Sequence, residues 1–171
     1  LDDMSLLESA SIDNCNSLLL CVKEMPVASQ GEGGVSGDAV VEYGLCFVDP
    51  VLGTVTLAQF QDDILRNRLR TVISHYKPTE VLLERDAHSA ESQGTLQLLA
   101  PDANVVILRQ SEIPSSGEET QSLLEQGKYF ANNTSPPVLQ ASLDGLEDGS
   151  RQLVVSALGG AIRSVQRSRI D

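Results

Sequence analysis

Hydrophobic and polar residues along the first third of the chain follow a pattern that predicts β-strands. Residues 18–24 are a short apolar run, and residues 42–49 alternate so that successive side chains fall on opposite faces. A turn begins at Asp49 and Pro50, and residues 54–60 are rich in strand-forming types. The pattern predicts three antiparallel strands connected in chain order.

The period then changes to that of an amphipathic helix. Either Asp62 or Asp63 can cap this helix, and Pro78 follows its end. Its apolar stripe recurs at helical spacing: Leu65, Leu69, Val72, Ile73 and Tyr76.

Two further strands and another helix follow. Residues 79–84 and 104–109 are continuous apolar runs, which is typical of strands buried on both faces. Ser89 is expected to cap a weaker helix between them that ends at Leu99.

The remainder of the chain predicts two helices. One covers about 117–126, with Leu123 and Leu124 on its apolar side. The last begins near residue 150 and carries Gly159 and Gly160 in its middle, which costs roughly 1 kcal/mol per glycine. We expect close packing against another backbone to offset that cost. The apolar stripe of the last helix is Val154, Leu158, Ala161, Ile162 and Val165.

This order of elements predicts an α/β fold of the ribonuclease-H-like type. Its core is a mixed five-stranded sheet, three antiparallel strands followed by parallel strands, flanked by helices. Residues 1–17 are interpreted as a linker or loosely packed N-terminal segment and 18–171 as one domain. A glycine-rich insertion loop is expected at 27–39. The lack of an initiator methionine and of a stop signal after the last helix favours a fragment of a longer protein.

The net charge of −12 argues against DNA binding by this domain alone, because duplex affinity comes largely from Lys and Arg contacts to phosphates. Basic residues concentrate at 66–70 and in the last helix. Each cluster is either a solvated helix face or a docking surface for an acidic neighbour. In the last helix, Arg163, Arg167 and Arg169 are the candidates for interdomain contacts.

Cysteine content and hydropathy restrict the location of the protein. Cys15, Cys21 and Cys46 are an odd set without metal-like spacing, which favours buried, reduced thiols and a reducing compartment such as the cytosol or nucleus. The sequence has no run of eighteen apolar residues, so it predicts no membrane span.

A ribonuclease-H-like fold raises the question of metal-dependent nuclease chemistry, in which clustered carboxylates hold two metal ions. The candidate carboxylates are Glu24, Asp49, Glu84 and Asp86. Lys23 stands beside Glu24 and would repel a metal. The alternative is that these are solvated acids at strand ends, with Glu84 pairing with an arginine. His75 and His88 stand in no zinc motif, and the glycine-rich loop lacks the GK[ST] of a phosphate loop. We predict no catalytic, cofactor-binding or metal residues.

Several short segments follow one another in a specific order and at consistent spacing. They are YGLCFVD at 43–49, LG at 52–53, QF at 59–60, DD at 62–63, RLRT at 68–71, HYKP at 75–78, VLLE at 81–84, Thr120, LLE at 123–125, YF at 129–130 and SALGG at 156–160. Together these segments resemble the connector domain (domain II) of eukaryotic MutS-family DNA mismatch-repair proteins, most closely that of the sixth homologue. The likeness covers residues 18–171.

The resemblance implies a non-catalytic connector between a mismatch-binding domain and a lever domain, to which the last helix leads. It implies a nuclear parent protein that binds mismatched DNA, hydrolyses ATP with magnesium through other domains and pairs with the second MutS homologue. MutL-type proteins are implied partners, and we nominate Glu119, Gln121 and Ser122 as the docking residues. A divergent ribonuclease-H-like nuclease using Glu24, Glu84 and Asp86 is the alternative.

Overall fold

A five-stranded mixed sheet is the centre of the computed structural model, which describes residues 17–27, 40–114, 117–127 and 152–168. Its order is β3-β2-β1-β4-β5. The strands are β1 (Leu19–Pro26), β2 (Val41–Asp49), β3 (Thr54–Asp62), β4 (Glu80–Glu84) and β5 (Asn104–Leu108). The first three strands pair antiparallel, and β4 is parallel to both β1 and β5. The predicted fold class is therefore confirmed.

In the part of the chain that the structure describes, four helices cover the two faces of the sheet. They are α1 (Asn67–Tyr76), α2 (Ala90–Leu99), α3 (Gly117–Gly127) and α4 (Gln152–Ser168), and a 3-10 turn at Gln110–Glu112 precedes α3. The helices α1 and α2 bury their apolar residues on one face. The helices α3 and α4 bury theirs on the other face.

The alternation of β1 divides the core into two clusters. Leu20 and Val22 pack beneath α1 and α2, whereas Leu19 and Cys21 pack beneath α4. All four side chains are buried, and fully burying an aliphatic side chain stabilises a fold by about 1.5–3 kcal/mol. A strand that lies between two helical layers buries both of its faces, so its sequence is a continuous apolar run.

Two glycine positions allow α4 to approach its neighbours closely. A Cβ on Gly44 would lie 2.2 Å from the backbone carbon of Leu153, so β2 meets the first turn of α4 backbone to backbone. A Cβ on Gly159 would lie 2.4 Å from Cγ of Pro114 and 2.6 Å from Oγ1 of Thr120. The close packing predicted for the glycine pair is present at Gly159, but against side chains and not against a backbone.

The start of α1 differs from the prediction. The strand β3 runs through Asp62, and α1 begins at Asn67, so Leu65 lies in a turn and is 62% exposed. The predicted place of Leu65 in the buried stripe is wrong. Asp62 nevertheless serves the helix, because its carboxylate accepts hydrogen bonds from the backbone N–H groups of Arg68 and Leu69.

The burial predicted for β5 is wrong for one of its faces. Val105 and Ile107 are 47% and 48% exposed. The cause is position: β5 is the last strand in the order of the described sheet, and a groove of about 490 Å³ separates its α2-side face from α2. An apolar run alone does not distinguish such an outer strand from a central one.

Several predictions fall outside the described residues. They concern the N-terminal segment before Ser17, the glycine-rich loop at 28–39, and Arg169. Among the helices that are described, none combines the length and the apolar character needed to cross a membrane.

Candidate functional site

Glu24 lies near the end of β1 and Glu84 ends the neighbouring parallel strand β4, but the two side chains point to opposite faces of the sheet. Val22 is in register with Leu83, and both pack beneath α1 and α2. Because side chains alternate along a strand, Glu24 continues on that face whereas Glu84 turns to the α4 face. These two carboxylates therefore cannot hold a common metal ion.

The other two candidate carboxylates lie elsewhere. Asp49 lies at the opposite end of the sheet, because it follows Val48, which pairs with Leu19 at the start of β1. Its carboxylate accepts hydrogen bonds from the N–H groups of Val51 and Leu52, both at 2.9 Å. Asp86 is exposed in the turn after β4 with a φ of 58°. Among the described residues, no group of three or more His, Cys, Asp or Glu side chains could hold a metal.

Glu24 caps the N-terminus of α2. Its two carboxylate oxygens accept from the backbone N–H of Ser89 at 3.3 and 3.2 Å. Burial alone would raise the pKa of Glu24, but the polar groups of His88, Ser89 and Ser92 around its carboxylate hold that pKa below its ordinary value. Negative charge is favoured at this position, since the helix N-terminus presents unpaired N–H groups.

His88 joins Glu24 to the end of β4. Its Nε2 accepts a hydrogen bond of 3.2 Å from the backbone N–H of Glu84. The proton of a neutral ring is then on Nδ1, which lies 3.4 Å from Oε2 of Glu24. The imidazole thus connects two strands and orients a carboxylate, an arrangement that also needs no metal.

Arg66 completes this polar network from the other helix. It precedes α1 in a left-handed conformation with a φ of 56°, and it is only 1% exposed. Its guanidinium donates to the carbonyl oxygen of Asp63 at 2.6 Å and to Oγ of Ser89 at 3.3 Å, and lies 4.0 Å from Glu24. Arg66 is therefore not part of a solvated basic helix face.

Lys23 and Glu84 form an ion pair on the α4 face. Their side chains are 17% and 10% exposed and line a cavity of about 230 Å³ together with Gln110, Pro114 and Ser156. The expectation that Glu84 would pair with an arginine is wrong, since its partner is a lysine. Glu84 thus already has a cationic partner within the domain.

The surface nominated for docking lies on α3. Glu119, Gln121 and Ser122 are exposed, and Nε2 of Gln121 donates to Oε1 of Glu125 at 3.2 Å. Thr120 between them is fully buried and donates to the carbonyl oxygen of Val155 at 3.2 Å. Thr120 thus fixes α3 on α4 with those three side chains outward.

The candidate interdomain arginines on α4 contact this domain itself. Arg163 donates to the carbonyl oxygen of Ser111 at 3.0 Å, and Arg167 donates to Oε1 of Glu112 at 2.7 Å. A hydrogen bond from the backbone N–H of Arg109 is the largest cause that holds the pKa of Glu112 below its ordinary value, and a hydrogen bond from the Arg167 side chain adds to it. Both arginines thereby bind the 3-10 turn to α4.

Sequence reasoning missed the polar network around Glu24. His88 and Ser92 flank Ser89 at the start of α2, but Arg66 precedes α1 and Glu24 lies on β1, so no local motif links the four residues. The one available signal was the predicted Ser89 cap, which marked the N-terminus of α2. That Ser89 accepts from the N–H of Ser92 confirms the cap.

Comparison with known proteins identifies the class of this fold. A family model for MutS domain II matches residues 18–166. The chain therefore belongs to the MutS family, as a domain II, and the predicted resemblance is confirmed.

The relatives are DNA mismatch repair proteins. The chain is 31% identical to Msh6 of Gallus gallus and to Msh6 of Homo sapiens, in each case over 98% of this chain and 13% of the relative. It is 30% identical to MSH3 of Phaeosphaeria nodorum over 61% of this chain and 9% of that protein. The chain thus spans about one eighth of the length of the Msh6 relatives.

Proposed function

We propose that this chain is a non-catalytic connector of a DNA mismatch-recognition protein of the Msh6 type. Membership of MutS domain II and the similarity to Msh6 support the setting. The observation that carries the non-catalytic role is the separation of Glu24 and Glu84 onto opposite faces, each engaged by groups of the domain itself. A ribonuclease-H-like nuclease gains no support from that arrangement.

In this proposal the connector relays conformational changes between a mismatch-binding domain and the lever and ATPase domains of its parent. The helix α4 is suited to such a role, because it packs on the sheet and is bound to the 3-10 turn through Arg163 and Arg167. Those two residues and Arg169 are the proposed interdomain contacts. ATP and magnesium would be used by other domains of a nuclear parent, which would pair with a second MutS homologue.

The proposed docking face for MutL-type proteins is the exposed side of α3. It offers carboxylate, amide and hydroxyl groups from Glu119, Gln121 and Ser122 on a helix anchored by Thr120. A rigidly held polar surface of this kind suits a partner with basic and hydrogen-bonding groups.

The docking proposal is tested with the full-length parent and a purified MutL-type protein. Replacing Glu119 by Lys, Gln121 by Ala and Ser122 by Ala together should weaken the complex at least about tenfold, which corresponds to about 1.4 kcal/mol. A matched triple variant on α2, with Glu91→Lys, Gln93→Ala and Gln97→Ala, should leave binding unchanged, since those exposed residues lie on the other face. Equal binding by wild type and the α3 variant would refute the docking face.

The non-catalytic role is tested with an RNA–DNA hybrid and Mn²⁺ or Mg²⁺. We expect no cleavage above that of a buffer control. Cleavage that disappears in both Glu24→Gln and Glu84→Gln would refute the proposal.

A further inference from the structure

Cys21 and Cys46 face each other across the antiparallel strands β1 and β2. They are direct register partners, and both side chains belong to the cluster beneath α4. Directly opposed residues of an antiparallel pair have Cα atoms roughly 4.5 or 5.5 Å apart. Disulfides span Cα separations of roughly 4.4–6.8 Å, so this backbone can accept a disulfide with little movement.

Both sulfurs are free thiols closed off by α4. Each residue is 0% exposed. A Cβ on Gly160 would lie 3.0 Å from Sγ of Cys21, and the backbone of Ala161 hydrogen-bonds to the same sulfur. The helix backbone therefore lies directly on Cys21, with no side chain at Gly160 between them.

Burial also suppresses the reactivity of the pair in the closed state. It raises the pKa of the Cys21 thiol to about 12 and that of the Cys46 thiol well above its ordinary value. The thiolate is the reactive form of cysteine, so neither sulfur is a good nucleophile while α4 is in place.

We propose that Cys21 and Cys46 are a latent disulfide pair, which a peroxide can join only when α4 lifts from the sheet. One sulfur, as a thiolate, attacks an oxygen of hydrogen peroxide, the O–O bond breaks, and a sulfenic acid and one water form. The second sulfur attacks the sulfenic sulfur, the S–O bond breaks, and the second water leaves. The two thiols lose two electrons to the peroxide, and their protons end in the two water molecules.

The contact between α4 and the sheet is a property of the isolated chain and does not depend on the proposed function. The oxidation rate of the pair therefore reports how often α4 opens.

The experiment uses the chain with Cys15→Ser, which leaves only the two opposed thiols. After exposure to hydrogen peroxide and trypsin digestion without reduction, the peptide ending at Lys23 should be joined to the peptide that contains Cys46. The intact mass should fall by two hydrogens, and Cys21→Ser in the same background should yield no joined peptide. Oxidation of the sulfurs without the joined peptide would overturn the proposal.

Gating by α4 is tested with two core variants. Leu158→Ala loosens α4, whereas Ile73→Ala removes a comparable buried side chain and loosens α1 on the other face. The two variants are compared at equal free energies of global unfolding, adjusted with urea. Under those conditions Leu158→Ala should form the disulfide several-fold faster than Ile73→Ala. Equal rates would overturn the gating. Val155→Ala, a smaller change on the same face of α4, replaces Leu158→Ala if that variant does not fold.

Discussion

The carboxylate of Glu24 accepts hydrogen bonds from the backbone N–H of Ser89 at 3.2 and 3.3 Å, so an acid two residues before the end of β1 caps the helix that follows β4. Glu24 is 9% exposed and is also approached by His88 and Arg66. An acid at this position of a ribonuclease-H-like sheet could be taken for a metal ligand. Here its hydrogen bonds are to the backbone and side chains of the domain.

Glu24→Gln should lower the free energy of unfolding by about 1–3 kcal/mol at pH 7, because it removes a charged cap from a buried network. The folded-state pKa of Glu24 is lowered, so its stabilisation is present above the unfolded pKa of about 4.3 and is lost as the pH falls through the folded value. Urea unfolding of wild type and variant at pH 7 and pH 3 should show the difference narrowing at pH 3. Glu91→Gln, which is exposed on α2, is the control and should change stability by less than about 0.5 kcal/mol. An equal loss at both pH values would contradict a role for the charge.

Gly44→Ala should destabilise the domain by more than about 2 kcal/mol. The added methyl would meet the backbone of Leu153 at 2.2 Å, and neither main chain can move without displacing α4. Gly94→Ala is the matched control, because nothing lies within 4 Å of a Cβ there and the site is inside α2. That control should stabilise by about 0.5–1 kcal/mol through helix propensity. Thermal unfolding distinguishes the two, and a neutral Gly44→Ala would show that β2 and α4 are not in close contact.

Breaking the Lys23–Glu84 pair from one side should cost more than removing both charges. Lys23→Met leaves a mostly buried carboxylate without its cation, and we expect a loss of about 1–3 kcal/mol. The double variant Lys23→Met, Glu84→Leu should recover most of that loss. Urea unfolding of the four members of this double-mutant cycle gives the coupling free energy. A coupling near zero would indicate that the contact is dispensable.

Val105→Thr should change the free energy of unfolding by less than about 0.5 kcal/mol, because half of that side chain already faces solvent. Val81→Thr is its matched control: Val81 is the register partner of Val105 on β4 but is 0% exposed. Burying a hydroxyl there should cost about 1–3 kcal/mol. Similar losses in both variants, measured by urea unfolding, would mean that β5 is covered on that face in solution.

The sequence predicted the strands and helices because their periodicities are local. Alternation at 42–49 and the Ser89 cap each specify an element without knowledge of the fold. The exposure of Val105 and Ile107 depends instead on where α2 lies and on the position of β5 in the sheet. No local sequence pattern predicts the place of α2 or of β5.

Only the register between β1 and β4 could have predicted that Glu24 and Glu84 lie on opposite faces of the sheet. Glu84 ends β4 and Glu24 lies near the end of β1, so proximity along the sheet edge suggested a common site. The pairing of Val22 with Leu83 places the two carboxylates one residue out of step, and one residue is enough to reverse the face. The choice of lysine over arginine as the partner of Glu84 follows from the same register, because Lys23 shares its face.

The proposed connector role predicts that this chain does not recognise mismatched DNA by itself. Fluorescence anisotropy of a labelled duplex carrying one mismatch, titrated with the isolated chain at about 0.15 M salt, tests it directly. The net charge of −12 predicts no binding at micromolar concentrations and no difference from a fully paired duplex. Tight binding that favours the mismatched duplex would contradict the claim.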